Sequence, residues 1–383
     1  MRLSAWVFAL SGGLVLTLVA SPAAADLERV QERLHAELAA FDGGPPVGFS
    51  LAVAYRGDRY AEGFGAAGLA PRAPVGADTR FYLGSISKPL TAIAVLKLRD
   101  RGRLDLEAPV DRYLRNLRLG PRRARVTLRQ LLTHTAGVSR EGDFGYWWNG
   151  EFPDRRRLRR ALRRLPLRHP PGERYGYSNL GYALLGQVIA EASGQSYPTF
   201  LERELFRPLA MNHSGVTPDG APEGIARGFA PVGRVLPNAE RPFYGVGEPV
   251  GDRRRREYHQ PRAMAPAFGV YTTAEDLSRL LQFLAGPRPD GTEALLAERS
   301  RRDLMTVQHR LPNGGGFSFG LRVADFEGQR ILSHVGWFAA HRSYIAIAPD
   351  ASVAVGVLTN SDDGDPQARA EVALRILLAD AGR

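Results

Sequence analysis

Apolar residues recur three and four positions apart in several stretches of the chain, the spacing that places them on one face of an α-helix. Leu27, Val30, Leu34 and Leu38 show it first and predict a helix over residues 26–41. The same spacing predicts helices beginning near Thr91 and over residues 154–168, 180–193, 198–206, 273–284 and 366–380. Most of the middle of the chain is therefore expected to be helical.

Strand-like patterns lie toward the two ends of the chain. The segment GFSLAVAY (Gly48–Tyr55) precedes the turn sequence Arg56-Gly57-Asp58 and a second strand near residues 59–63, which predicts a hairpin. Four further strand-like segments follow at residues 317–323, 331–334, 344–348 and 353–358. We expect an α+β fold in which the two chain ends pair into one largely antiparallel sheet flanked by helices, with a helical lobe between them.

This pattern also predicts the domain organisation. The sheet part is expected to comprise residues 26–104 and 263–383, and the helical lobe residues 105–262. Residues 215–262 are rich in Gly, Pro and Arg and have little periodicity, so long loops with short strands are expected there.

The first 25 residues have the order of a secretory signal peptide. Arg2 precedes an apolar stretch at residues 6–20, and residues 21–25 offer an A-x-A site that predicts cleavage before Asp26. The expected location is periplasmic or secreted, with an uncleaved membrane anchor as the alternative. No later stretch is apolar enough to cross a bilayer, so no stable membrane span is expected after cleavage.

Composition removes several classes of function. The chain has no cysteine, so it has neither disulfides nor thiolate metal sites. It also lacks H-E-x-x-H and tight His/Asp/Glu clusters, and we expect neither a metal nor a cofactor. The net charge is +11, with arginines clustered at residues 155–164, 253–256 and 122–123. One interpretation of these clusters is a weak attraction to an anionic cell envelope, and the other is a helix face that simply lies in solvent. Nucleic acid is not expected as a partner, because no recognition motif is present.

Ser85 and Lys88 are the first candidates for chemistry. They are three residues apart at the start of the helix near Thr91, so they share one face of its first turn. Of 51 basic residues only two, Lys88 and Lys97, are lysines. Because arginine cannot give up its proton in a protein, a lysine beside this serine fits a need for an amine base. The alternative is a capping serine beside a surface lysine.

Three short motifs occur in an order that is typical of one enzyme family: GSISK (residues 84–88), YSN (residues 177–179) and HVG (residues 334–336). The longer segments LLTHTAGV, PGERYGYSNLGYALLGQVIAEASG, PLAMNHSGV and VYTTAEDLSRLL fit the same family. Over residues 27–378 the chain resembles the serine β-lactamase-like hydrolases, which include class C β-lactamases, D-alanyl-D-alanine carboxypeptidases, D-aminopeptidases and related esterases.

The resemblance implies roles for the motif residues. Ser85 would be the acylated nucleophile, and Lys88, with a lowered pKa, would act with Tyr177 as the general base. Asn179 would orient Lys88 and a substrate amide. The remaining implied residues bind substrate: His334, Gly336, which would let a substrate lie along an edge strand, and Trp337, whose backbone N–H would complete an oxyanion hole with that of Ser85.

Two departures from the family pattern bear on the substrate. The third motif has His334 where many members have the lysine of K-T-G, so recognition of a substrate carboxylate is weakened. Downstream, His341 and Arg342 either restore a cation at the pocket edge or have a structural role. His134, a lone histidine, is expected to make a structural hydrogen bond.

These observations predict an exported serine hydrolase that acts through an acyl-enzyme on an ester, an amide or a D-amino-acid peptide. The partner is then a small molecule or a peptide. One alternative is a true β-lactamase or D-alanyl-D-alanine carboxypeptidase. The other is a non-catalytic module that binds penicillin or cell wall.

Overall fold

The computed structural model describes residues 22–41, 47–115, 117–120, 124–142, 144, 146, 151–216, 222–232, 246–256, 260–286, 295–312 and 314–382. Most of the predicted signal peptide (residues 1–21) and the arginine pair at 122–123 lie outside these residues. Within the described part, no helix combines the length and the apolar character that a bilayer span requires.

Ten α-helices occur in the described residues, joined in places by short 3₁₀ turns. They are α1 (Pro22–Ala39), α2 (Ser87–Asp100), α3 (Leu128–Leu132), α4 (Arg155–Arg164), α5 (Asn179–Ser193), α6 (Tyr197–Leu201), α7 (Ala265–Phe268), α8 (Ala274–Ala285), α9 (Glu298–Met305) and α10 (Pro366–Ala381).

The strands form three sheets. The first fourteen in chain order are β1 (Gly48–Tyr55), β2 (Asp58–Leu69), β3 (Arg72–Pro74), β4 (Phe81–Tyr82), β5 (Gly215–Val216), β6 (Phe229–Pro231), β7 (Val246–Val250), β8 (Arg253–Arg256), β9 (Val270–Thr272), β10 (His309–Arg310), β11 (Gly316–Phe317), β12 (Arg322–Phe326), β13 (Gln329–Phe338) and β14 (His341–Ala348). The last is β15 (Val353–Thr359).

Nine strands from the two chain ends make one antiparallel sheet in the order β10-β11-β12-β13-β14-β15-β1-β2-β3. Its centre joins the ends directly, because β1 pairs with β15 from Phe49 opposite Thr359 to Tyr55 opposite Val353. The predicted α+β fold is therefore confirmed. Smaller sheets have the orders β4-β9-β5 and β6-β8-β7.

Helices cover both faces of the large sheet, which explains why β1 is buried along its whole length instead of alternating between buried and exposed residues. Ala52 and Ala54 belong to the core that contains α8, whereas Leu51 and Val53 belong to the core that contains α10. Successive strand residues point to opposite faces, so both sets are buried. α1 packs against α10 on this second face.

The sequence patterns placed most long elements correctly and missed several short ones. Thr273 caps α8 as predicted, by accepting the N–H of Asp276. The helix predicted over 198–206 divides into α6 and a π-helical turn over Glu202–Phe206. The predicted second strand extends much further, to Leu69. α7 and α9 were not predicted, because four and eight residues give too few repeats for a periodic signal.

Candidate active site

A tight turn carries Ser85 into α2. Residues Gly84–Ile86 form a 3₁₀ turn, and α2 begins at Ser87. Ser85 therefore lies two residues before α2, close to the helix start at which it was predicted. Gly84 has a φ of +53°, and a Cβ there would lie 2.3 Å from the backbone nitrogen of Trp337. Only glycine allows this backbone conformation and this close approach to β13 without strain.

Ser87 fixes the turn from below. Its hydroxyl donates to the Gly84 carbonyl oxygen at 2.7 Å and accepts the N–H of Val270 at 3.0 Å. Both hydrogen bonds are buried, where a polar group without a partner is costly. The turn is thus held between β9 and β13, and the position of Ser85 does not depend on a flexible loop.

The side chains of Ser85, Lys88 and Tyr177 meet, as the sequence predicted. Lys88 Nζ lies 3.1 Å from Ser85 Oγ, and the Tyr177 hydroxyl donates to the same oxygen at 2.9 Å. Lys88 Nζ also donates to the carbonyl oxygen of Ala267, in α7, at 2.8 Å. The serine hydroxyl therefore contacts an amine and a phenol at once, which is the arrangement that removes a proton from a nucleophile.

Burial makes the Lys88 amine a base. The side chain is 0% exposed, and no carboxylate in the described part of the chain lies within ion-pair distance of it. Desolvation lowers the pKa of Lys88 well below its usual value; the nearby Glu141 partly opposes this and Arg140 adds to it. Desolvation also raises the pKa of Tyr177, whose phenol therefore stays protonated. The lowered pKa favours the free amine of Lys88, which faces a phenol that can donate.

Asn179 does not contact Lys88 as the resemblance implied. Its amide nitrogen donates to Glu141 Oε1 at 2.6 Å, and its amide oxygen is buried without a hydrogen-bond partner. The Glu141 carboxylate also accepts the Tyr146 hydroxyl and lies 3.2 Å from Arg140 Nε. The amide nitrogen is thus directed to Glu141, and no hydrogen bond joins the buried amide oxygen to Lys88, so the expected contact is absent.

These side chains line a pocket of about 460 Å³ together with residues that the sequence had not identified. One wall is apolar and includes Phe268 and Val335, whose side chain is 56% exposed. Arg140 and Glu141 lie on the polar side. Arg140 and Glu141 lie in a loop and belong to no motif, so nothing in the local sequence indicates that they line a pocket. In the described residues, no group of three or more His, Asp or Glu is placed to hold a metal.

Comparison with known proteins identifies the family. A family model described as "Beta-lactamase" matches residues 39–380. The chain belongs to the β-lactamase family. The chain is 33% identical over 286 residues to the esterase EstB of Burkholderia gladioli, a match that covers 67% of this chain and 70% of the esterase.

The chain also matches two further relatives, which differ in how much of their own length it covers. The protein flp of Staphylococcus aureus is 24% identical over 305 residues, covering 78% of this chain and 56% of flp, so the chain spans little more than half the length of that relative. The structure of D-alanine carboxypeptidase AmpC from Burkholderia cenocepacia superposes with a TM-score of 0.72 at 22% identity, covering 92% of this chain and 99% of that one. This second likeness shows the fold.

The third β-lactamase-family motif stands at the pocket wall with a neutral histidine. His334 Nδ1 lies 2.7 Å from the Val335 carbonyl oxygen, and its ring is partly accessible from the pocket. Desolvation, followed by the nearby Lys88, lowers the pKa of His334 to about 3. The ring therefore supplies no positive charge near pH 7.

The packing around Gly336 requires a glycine, a reason that the sequence did not indicate. A Cβ at Gly336 would lie 2.0 Å from the Leu83 carbonyl oxygen and 2.1 Å from Ser343 Oγ, two atoms that share a hydrogen bond. The glycine thus lets the turn of Ser85 approach β13. The expected open edge does exist beside it, because β12 pairs with β13 only as far as Ser333.

The two downstream candidates do not restore a cation. His341 is buried, its Nε2 hydrogen-bonds the Ala226 carbonyl oxygen at 3.0 Å, and desolvation lowers its pKa to about 4. Neither it nor Arg342 lines the pocket. His134 has the expected structural role: its Nδ1 accepts the Ser178 N–H at 3.0 Å and so holds the loop that carries Tyr177.

Proposed function

We propose that the protein is a serine hydrolase that forms an acyl-enzyme at Ser85 on an ester or amide bond. The observation that carries this proposal is the contact of Ser85 Oγ with both Lys88 Nζ and the Tyr177 hydroxyl. A hydroxyl placed between a free amine and a phenol loses its proton as it attacks a carbonyl carbon. A non-catalytic binding module would not require this buried base.

The same three groups serve both halves of the reaction. Ser85 attacks the carbonyl carbon while its proton passes to Lys88, and Tyr177 gives its proton to the leaving group and receives the one held by Lys88. Water then attacks the acyl-enzyme, and the proton movements run in reverse. The backbone N–H groups of Ser85 and Trp337 are proposed to hold the oxyanion; the close approach of Gly84 to the Trp337 nitrogen supports this.

The pocket wall supports a neutral substrate. Asn179 and His334 offer uncharged polar atoms, and Gly336 and Trp337 line the wall together with the apolar Val335. An ester or amide with an apolar acyl group fits this lining better than a carboxylate-bearing substrate, since charge-assisted hydrogen bonds need a cation. The esterase relative is consistent with this preference. D-amino-acid peptides remain within the proposed class.

A β-lactamase or carboxypeptidase is the second candidate, and Arg140 is the observation that favours it. Arg140 lines the pocket with its side chain 70% exposed, so it can reach a substrate carboxylate. Its existing contact with Glu141 offsets this charge, which is why we place this function second.

Turnover of short-chain p-nitrophenyl esters and of nitrocefin separates the two candidates. We expect a higher kcat/KM for the ester, and we expect His334→Lys to narrow the difference by roughly tenfold to a hundredfold, because it adds a charge-assisted contact. Ser85→Ala is the control for background hydrolysis. A higher kcat/KM for nitrocefin that Arg140→Gln abolishes would establish the second candidate instead.

We also propose that residues 1–25 are removed on export and that residues 26–383 form the mature domain, with a sheet part and a helical lobe. The n-region, apolar stretch and A-x-A order support this. N-terminal sequencing of exported protein should begin at Asp26.

The exposed Arg156, Arg160 and Arg164 of α4 support a weak attraction to an anionic envelope surface.

A further inference from the structure

A second pocket lies at the other end of α7. Phe268, at the C-terminal end of this helix, lines the catalytic pocket, whereas Ala265 and Pro266, at its N-terminal end, line a separate cavity of about 320 Å³. Most of the remaining lining is apolar and comes from α5, α6 and β5, including Ala183, Ala190 and Val216. None of the residues assigned to catalysis contributes to it.

One buried polar group in this lining has an unused donor. Gln187 of α5 is 6% exposed, and its Oε1 accepts from Arg159 Nε at 2.6 Å. This contact fixes the orientation of the amide, because a guanidinium can only donate. Gln187 Nε2 is then a buried N–H donor without a partner. Buried donors are nearly always paired in folded proteins, so this one indicates a missing acceptor.

The charges around the cavity indicate that the acceptor is an anion. Arg155 and Arg262 are part of the lining, and Arg159 stands behind Gln187. The opposing carboxylates are Glu191, which pairs with Arg155 and Arg159, and Asp154, which caps α4. Among the residues that the structure describes around this cavity, three guanidinium groups face two carboxylates, which leaves an excess of positive charge beside an apolar wall.

We propose that this cavity is a binding site for a small amphipathic carboxylate. The carboxylate group accepts from Gln187 Nε2 and faces Arg155 and Arg262, while its hydrocarbon part lies against the apolar lining formed by α5 and α7. Such a ligand satisfies the unpaired donor and covers the apolar surface at the same time, which water alone does not do.

Calorimetric titration of the purified protein with sodium octanoate tests the proposal, with 1-octanol as the uncharged probe of equal chain length. We expect saturable 1:1 binding of octanoate and at least tenfold weaker binding of octanol. Gln187→Leu should weaken octanoate binding about tenfold, since a hydrogen bond to a charged group is lost. Ala190→Phe, which fills the cavity, should abolish binding.

The matched control is Gln367→Leu. Gln367 is an exposed glutamine on α10, away from the cavity, and its side chain donates to Glu371. It should bind octanoate like the wild type. If Gln187→Leu does not fold, Gln187→Glu preserves the shape and should weaken binding by adding repulsion. The proposal is overturned if octanoate does not bind, if octanol binds equally well, or if neither Gln187→Glu nor Ala190→Phe changes the affinity.

Discussion

The first and last turns of α2 each carry a lysine, the two that the chain contains, and the lysines have opposite environments. Lys97 lies 3.3 Å from a carboxylate oxygen of Glu204 and donates to the backbone oxygen of the same residue at 2.9 Å. Lys88 is fully buried, and its nearest acceptors are the Ser85 hydroxyl and the Ala267 carbonyl. Lys97 thus has an ion-pair partner, whereas burial without a carboxylate partner lowers the pKa of Lys88.

The difference shows that residue type alone does not assign chemistry on this helix. The same amine connects α2 to Glu204 at one end and contacts the proposed nucleophile, Ser85, at the other. What distinguishes them is the surrounding backbone: α7 covers Lys88 and offers a single carbonyl, and the loop of Tyr177 closes the other side. The variants described next test whether Lys88 and Lys97 differ in function as their environments imply, and by how much.

Exchanging each lysine for arginine should give the largest contrast. We expect Lys88→Arg to lower kcat/KM at least a thousandfold, because a guanidinium cannot accept the Ser85 proton. Lys97→Arg should stay within about twofold of the wild type, since arginine preserves the ion pair with Glu204. Ester hydrolysis at pH 7 measures both. A Lys88→Arg variant with the activity of Lys97→Arg would show that Lys88 is not the base.

Removing the phenol tests the second group on Ser85. Tyr177→Phe should lower kcat/KM by roughly a hundredfold to ten-thousandfold, the usual contribution of a positioned acid or base. Tyr175→Phe is the matched control, because the Tyr175 ring stacks on Phe317 at 4.1 Å and takes no part in the contacts of Ser85. If both substitutions lowered kcat/KM equally, Tyr177 would have only a packing role.

The smallest expected effect is in the pH profile. Because desolvation lowers the pKa of Lys88 well below its usual value, kcat/KM should rise much less between pH 7 and 9 than it would with an ordinary lysine. A lysine with its ordinary pKa near 10.4 would give almost a hundredfold rise over that range. Activity should fall on acidification, as Lys88 gains its proton. A steep rise above pH 7 would contradict the assigned protonation state.

Sequence patterns predicted correctly those features that depend on residues close together in the chain or on a motif. Ser85 and Lys88 are three residues apart near the start of one helix, and the largely apolar runs of β1 and β15 predict strands of the sheet. Asn179 was assigned a contact with Lys88 through the family pattern, but its amide nitrogen donates to Glu141 and its amide oxygen has no hydrogen-bond partner.

The residues that were missed are brought to the site by tertiary packing. Ala267 contributes only a backbone oxygen, so its side chain gives no signal, and α7 is too short to show a period. His341 was a candidate cation because sequence places it after the third motif, yet β14 directs its ring into the core against Phe81 and Tyr82. Burial of this kind is decided by the sheet register, which short-range patterns do not specify.

The central claim is that Ser85 is the nucleophile and Lys88 its base, and labelling with a fluorophosphonate at pH 7 tests it most directly. Tryptic peptides of the labelled protein, analysed by tandem mass spectrometry, should show one adduct, on Ser85, in the wild type and in Lys97→Arg. Lys88→Arg should label at least a hundredfold more slowly while unfolding at a similar temperature. An adduct on another serine, or labelling of Lys88→Arg at the wild-type rate, would contradict the account.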